Sequence, residues 1–407
     1  MKIIIKFFIS TIITVILLEV GTRILVDNDR SLKILAYNPH EKIDFDKIVD
    51  WVSLQKSTPC SLKPGSRFRN FIVNSHGFVS EESSYAKPNN TYRTLLLGDS
   101  FAVGVVPYKL NFFKKFDDNL KDFLSSKYNL KIQGINLGIS CVGPAIYKKA
   151  MDVEGVLYKP NLVILSFFVG NDFTDDSSNL RDVQNNTIST SKYPSIFYKS
   201  TFLSVLINSV KMREYLASSE YKKSQAVANI YGAFDYAIDS KYDPFLPSFD
   251  NKKFLEIESG RLNVYGANLG AYNDFNKVIQ RILDVKKTAE SINARFLVVI
   301  IPDELQVNNS LFQVVTKHAG LSATTLDIHL PQKLLKEVFE KNGIRFLDPL
   351  TPLREKNKEI AVFQPRDTHL NSFGNEVVAN TLTEYFHNNI NFLLPSFTTI
   401  MNTQGNE

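Results

Sequence analysis

Thr94-Leu-Leu-Leu97-Gly98-Asp99-Ser100-Phe101 is the stretch on which the reading of this chain turns. Its three leucines are too few for a helix and apolar on both faces, as in a strand buried between two layers. Gly98 suits a tight exit from such a strand, and Gly104 suits close approach of backbone. Ser100 then falls at the strand's carboxyl end, where the loops of an open α/β sheet converge on a crevice. Alone, Gly-Asp-Ser is a common turn or helix-capping tripeptide and says little about chemistry.

Downstream, strands and helices alternate. Apolar residues at helical spacing run from Tyr108 to Tyr128, including Phe112, Phe113, Phe116, Leu120 and Phe123. A strand is expected over Ile132–Ile139, a helix over Pro144–Tyr158, and a continuous apolar strand over Asn161–Val169. A helix over Ala271–Ile292 and a strand over Arg295–Ile301 follow. A helix over Pro331–Asn342, a short strand over Ile344–Leu347 and a closing helix over Ser372–His387 complete the series. The pattern predicts an α/β fold, a three-layer, doubly wound and mostly parallel sheet, preceded by a transmembrane helix.

The expected organisation is a signal-anchor helix (1–26), a stalk and entry segment (27–90), the main α/β domain (91–394) and a disordered tail (395–407). Residues 175–265 interrupt the alternation with polar, aromatic and turn-rich stretches. They read as an insertion that either covers the site or is surface elaboration. The run Ile3–Val26, interrupted by Lys6, Glu19 and Arg23, is long enough as a helix to cross a bilayer core. Glu19 and Arg23, four apart, share a face and can pair near the interface. A cleaved signal peptide with its apolar core at Phe7–Leu18 is the competing reading, but no small-x-small cleavage pattern follows. Lys2 and Lys6 favour an inside N-terminus, against Arg23, Arg30 and Lys33 on the other flank. The expectation is a single-pass anchor with the main domain outside the cytoplasm.

Composition excludes other classes. A formal net charge of +5 over 407 residues, with lysines interspersed among acids, describes solvated faces and no nucleic-acid surface. Two cysteines, Cys60 and Cys141, can make one bridge but neither a disulfide framework nor a metal cluster. Cys141 lacks a Cys-His signature and reads as a packed thiol. His40, His318, His329 and His387 read as surface residues, and His76 as a loop residue.

Two further segments carry chemistry. Gly170-Asn171-Asp172 follows the strand ending at Val169, where an asparagine amide can point into the crevice and serve an oxyanion hole. Arg366-Asp367-Thr368-His369-Leu370-Asn371 precedes the last helix. A serine hydroxyl needs a base to take its proton, histidine is the usual one, and a carboxylate on its other nitrogen fixes the tautomer. As two metal ligands, Asp367 and His369 lack a third nearby.

Together these segments resemble the SGNH (GDSL) hydrolase family. Gly98-Asp99-Ser100-Phe101 resembles its first block, Gly170-Asn171-Asp172 its third, and Asp367 with His369 its last, over roughly Arg93 to Phe386 apart from the insertion. Val73-Asn74-Ser75-His76-Gly77-Phe78 looks like the lead-in of membrane-anchored members. The resemblance implies that Ser100 is the nucleophile, His369 the base and Asp367 its orienter. The Ser100 backbone N–H and Asn171 would serve the oxyanion hole, and Asp99 would be structural.

Two departures follow. Where the family's second block supplies a backbone donor on a glycine, Asn136-Leu-Gly-Ile-Ser-Cys-Val-Gly143 aligns best with Cys141, with Gly138 or Gly143 as alternatives. Asp367 and His369 are two apart rather than three, as in the polysaccharide O-acetyltransferase-like branch. The implied activity is a serine esterase or O-acyltransferase using no cofactor, on glycan, lipid or small esters. The competing reading is a non-catalytic SGNH-like component of an envelope polysaccharide system.

Overall fold

The computed structural model describes residues 2–28, 36, 65, 67–68, 71–175, 194–217 and 242–394. The chain forms two compact units, one within 1–57 and 177–232, the other within 58–176 and 233–407. The tail beyond 394, the insertion residues 176–193 and 218–241, and most of the stalk lie outside the described residues.

In the first unit, α1 (Lys2–Asn28) is one continuous helix. Its stretch Lys6–Val26 is long and apolar enough to cross a membrane. Arg23 Nε donates to Glu19 at 2.8 Å, the pairing that their spacing predicts. Glu19 also accepts from Ser200 Oγ (2.7 Å), Thr201 N (3.0 Å) and Phe202 N (3.1 Å). A carboxylate from one helix thus satisfies the orphan donors that begin another, Thr201–Ala217.

The second unit is built on five parallel strands. In chain order, β1 (Thr91–Leu97) leads through α2 (Ser100–Val103) and α3 (Phe112–Tyr128) to β2 (Lys131–Asn136). Then α4 (Pro144–Val153) leads to β3 (Leu162–Phe168). Counting Thr201–Ala217 as α5, the chain continues with α6 (Asn251–Arg261), α7 (Phe275–Ser291) and β4 (Arg295–Ile301). Helices α8 (Asn309–His318) and α9 (Leu330–Lys341) precede β5 (Phe346–Leu347), and α10 (Leu350–Asn357) and α11 (Ser372–Asn388) follow it. The strand order is β2-β1-β3-β4-β5, all neighbours parallel, a doubly wound sheet with its switch point between β1 and β3.

Alternate residues of each strand face opposite layers. Tyr92, Leu96, Leu162, Ile164, Leu297 and Val299 pack with Phe112, Phe116 and Leu120 of α3 and Val378, Leu382 and Phe386 of α11. The intervening Leu95, Leu97, Val163, Leu165 and Val298 are as fully buried, on the side of α4 and α7. This two-sided burial explains the continuous apolar strand sequences. β2 ends at Asn136, three residues short of the predicted Ile139. Asn136 turns its side chain away from the ladder, donating to Ala102 O (2.8 Å) and accepting from Gly138 N (2.8 Å). β5 is likewise two residues shorter than its apolar run.

Candidate active site

Ser100 is the first residue of α2 at the carboxyl end of β1. Asp99 caps the helix, its carboxylate accepting from Phe101 N at 2.9 Å. No hydrogen bond within the described residues takes the Ser100 N–H, which is thereby free to serve a ligand. Gly98 is required by contact: a Cβ there would stand 2.9 Å from both Ala102 Cβ and Ser166 Cβ. Gly104 closes the turn at φ 81°, in the left-handed region that glycine accepts freely.

The structure brings Ser100, His369 and Asp367 together. His369 Nε2 lies 2.8 Å from Ser100 Oγ, and Nδ1 lies 2.7 Å from Asp367 Oδ1. An ionised carboxylate only accepts, so Nδ1 carries the proton and donates it to Asp367. Nε2 is then left to accept from the Ser100 hydroxyl. Asp367 is 6% exposed, and the His369 ring rests on Phe101 at a centroid distance of 4.8 Å.

The two-residue spacing works because the backbone kinks between the partners. Thr368 has φ 78° and Arg366 φ 51°, both in the left-handed region. Gln364 N donates to His369 O (2.8 Å), Asp367 N donates to Gln364 O (3.1 Å), and Phe363 bridges Leu370, so the segment is a closed loop. Asn371 joins that loop to α11, accepting from Phe373 N and Gly374 N and donating to Ala361 O and Phe363 O.

Asn171 follows β3, the strand beside β1. Its Oδ1 is buried without a partner, and its amide makes no hydrogen bond among the described residues. Asp172 turns inward instead, accepting from Tyr147 OH (2.6 Å) and Phe168 N (2.9 Å). Burial, then the Asp99 carboxylate, holds Asp172 well above the ordinary carboxylate range. Burial likewise raises Asp99.

Of the second-block alternatives, Cys141 has the glycine-like backbone, with φ 62°. Gly138 is instead wedged against α2, where a Cβ would meet Ala102 Cβ at 2.7 Å, and Gly143 caps α4 in an extended conformation. Ile139 N donates to Gly98 O (3.0 Å), which joins this loop to the one carrying Ser100. Cys141 corrects the expectation of a packed thiol: it is exposed and disulfide-bonded. The chain's only other cysteine, Cys60, lies outside the described residues. His318, His329 and His387 are exposed, while His76 shares a hydrogen bond with Tyr85 OH at 2.9 Å. His40 lies outside the described residues. Among the described residues no three or more His, Cys, Asp or Glu are gathered to hold a metal ion.

Sequence reasoning missed the residues that hold the Asp367–His369 loop from outside. Tyr242 OH donates to Gln364 Oε1 (3.1 Å) and accepts from Ser372 N (2.9 Å). Gln364 Nε2 donates to the carbonyls of Asp243 and Leu246. Ser248 N and Phe249 N donate to Pro365 O (3.0 Å) and Arg366 O (3.2 Å). Arg261, at the end of α6, donates from Nη2 to Thr368 Oγ1 (3.1 Å) and from Nη1 to Glu258 (3.0 Å). Tyr242, Asp243, Leu246, Ser248, Phe249 and Arg261 lie in the last described part of the expected insertion, 242–265, and each is hydrogen-bonded to the loop.

No family model and no curated protein matches the chain. Solved structures similar to it include an acetyl xylan esterase, AlAXEase, at 13% identity and TM-score 0.35, spanning 72% of this chain and 98% of that one. A lipase/acylhydrolase from Enterococcus faecalis is similar at 11% identity and TM-score 0.31, over 72% and 95%. LAE5, an alpha/beta hydrolase enzyme from the metagenome of Lake Arreo, Spain, is similar at 12% identity and TM-score 0.32, over 74% and 96%. These likenesses are distant, and the functional reading rests on the geometry of the site.

Proposed function

We propose that this chain is a membrane-anchored SGNH-type serine hydrolase or O-acyltransferase that works through an acyl-enzyme on Ser100. The observation that carries the reading is the continuous relay Ser100 Oγ, His369 Nε2, His369 Nδ1, Asp367 Oδ1, with contacts of 2.8 and 2.7 Å. That arrangement supplies an activated hydroxyl, a base and an orienter at hydrogen-bond distance.

His369 Nε2 accepts the Ser100 proton as Oγ attacks the ester carbonyl. The carbonyl π electrons move to oxygen, and that oxyanion is received by the Ser100 N–H, the Asn171 amide and the Cys141 N–H. Each such donor contributes roughly 3–4 kcal/mol to the transition state. Collapse expels the alcohol, which takes the proton from Nε2. Asp367 stabilises the imidazolium without itself accepting the proton. Water or a sugar hydroxyl then gives its proton to Nε2, attacks the acyl group and releases Ser100. Hydrolysis and transfer share the first half and differ only in that second nucleophile.

The reading of location is an anchored domain outside the cytoplasm, on acylated glycans, lipids or small esters. It is supported by α1 and by the disulfide at Cys141, a bond that persists in oxidising compartments. Labelling of the full chain by a fluorophosphonate probe tests the assignment. Wild type is expected to label, and Ser100→Ala and His369→Ala to lose the label. Labelling that persists in Ser100→Ala sinks it.

A further inference from the structure

Thr368 poses a question that the relay does not answer. It is β-branched, 2% exposed and held at φ 78°, a conformation that such residues rarely adopt. Backbone of this kind persists only where the surroundings over-determine it. It is also what makes the two-residue spacing productive, since it lies between the Asp367 carboxylate and the His369 ring. The side chain that grips it comes from more than a hundred positions upstream: Arg261 Nη2 donates to Thr368 Oγ1 at 3.1 Å.

Arg261 is itself fixed on three sides. Its other nitrogen, Nη1, donates to Glu258 at 3.0 Å, and Glu258 is fully buried. The guanidinium lies over the Phe168 ring at 4.9 Å, Phe168 stacks on Phe101 at 4.1 Å, and Phe101 carries the His369 ring at 4.8 Å. One cation therefore touches the turn on one side and, on the other, the aromatic column beneath the histidine. Around it are the buried carboxyls of Asp303 and Asp99. Burial works against the Arg261 charge, but Glu258, Asp303 and Asp99 outweigh it and raise the group further. Lysine cannot replace such a planar, two-ended donor.

Resting on the serine-hydrolase reading above, we propose that Arg261 is a positioning residue of the reaction, locking the Thr368 turn so that Asp367 stays aimed at His369. No contact places its guanidinium on the reacting hydroxyl, so its action passes through Thr368 and the aromatic column. The end of the insertion, through Arg261, thereby becomes part of the machinery without entering the chemistry.

The test is a set of full-length variants, Arg261→Met, Arg261→Lys, Thr368→Val and the double variant Arg261→Met/Thr368→Val. Thr368→Val keeps the arginine, its charge and its buried partners while removing the acceptor, and so separates positioning from folding. Each variant is read by kcat and KM on p-nitrophenyl acetate and by the proton NMR resonance of the His369 Nδ1–H shared with Asp367. The expected result is a kcat lower by about 10- to 100-fold with KM little changed in Arg261→Met and Thr368→Val. The resonance should broaden or vanish in both, Arg261→Lys should fail to rescue, and the double variant should be no worse than the poorer single. Wild-type kcat and an intact resonance in Thr368→Val would overturn the proposal, as would losses that simply multiply in the double variant. The resonance reports independently of turnover: a wild type that shows it without hydrolysing the ester refutes the hydrolase reading, and in that protein its loss in Thr368→Val still supports the positioning role while its persistence overturns it.

Discussion

Two kinds of loop meet at Ser100, and they are held differently. The loops after β1 and β3 are extensions of buried strands, fixed by packing within a few residues: Gly98 against Ser166, Asp99 on Phe101, Asp172 on Phe168. The Asp367–His369 loop has two left-handed residues and no strand of its own, and its external bonds come from Tyr242, Asp243, Leu246, Ser248, Phe249 and Arg261. The proposed nucleophile, Ser100, belongs to the sheet, whereas the proposed base, His369, belongs to a turn strapped down by a remote segment. Damage to the strap should therefore impair proton transfer and leave the serine in place.

The largest effect that tests this contrast is expected from Asp367→Asn. An asparagine at that position can donate to Nδ1, favouring the tautomer that carries its proton on Nε2, which cannot then accept from Ser100. Turnover of p-nitrophenyl acetate should fall by about 10⁴-fold, with unchanged thermal unfolding. A loss under tenfold would mean that Asp367 does not orient His369.

Asn171→Ala probes the sheet-held side. Its amide has no partner to lose among the described residues, so folding should be indifferent while kcat falls about 10²- to 10³-fold. Equal kcat in variant and wild type would remove Asn171 from the oxyanion hole and leave the Ser100 and Cys141 N–H groups.

The smallest effect lies away from both loops and separates stability from catalysis. Asp117 of α3 is buried under β2, accepting from Thr94 Oγ1 at 2.8 Å. Burial pushes it up to about 8, the Thr94 hydroxyl and Lys114 pull it down, and Asp118 and Glu81 oppose them. In the unfolded chain a carboxyl releases its proton near pH 3.9. Between those values the folded state binds the extra proton, so this group's contribution is complete below about pH 4 and shrinks as pH rises towards 8. Asp117→Asn removes that dependence. Its melting temperature relative to wild type should climb from pH 5 to pH 8, by the equivalent of at most about 1.4 kcal/mol per pH unit, with kcat unaffected. A difference that stays flat with pH would show that Asp117 is ionised in the fold.

Much of this arrangement was legible in the residues. Leu95–Leu97, Leu162–Phe168 and Phe296–Ile301 are apolar on both faces because both faces are covered, and that pattern alone predicts a doubly wound sheet. Chemistry placed at strand ends is legible for the same reason, since a strand that ends announces its loop. The strap was not. Tyr242, Gln364 and Arg261 act through hydrogen bonds across more than a hundred residues, and nothing in the local pattern marks such partners. The bridge at Cys141 was equally hidden, because two cysteines are compatible with either thiols or a disulfide. Its positive φ was foreshadowed only by alignment to a position that elsewhere holds glycine.

The Glu19 cap has a consequence for how the molecule is made. The carboxylate sits in a largely apolar helix, while the backbone donors it satisfies begin at Thr201, 182 positions later. At about 5–20 residues per second, those partners are synthesised roughly 10–40 s after it. Throughout that interval Arg23 is its neighbour on the same helix. The long apolar helix thus carries a carboxylate whose backbone partners are made much later, and its contacts are completed only when Thr201 and Phe202 have been synthesised.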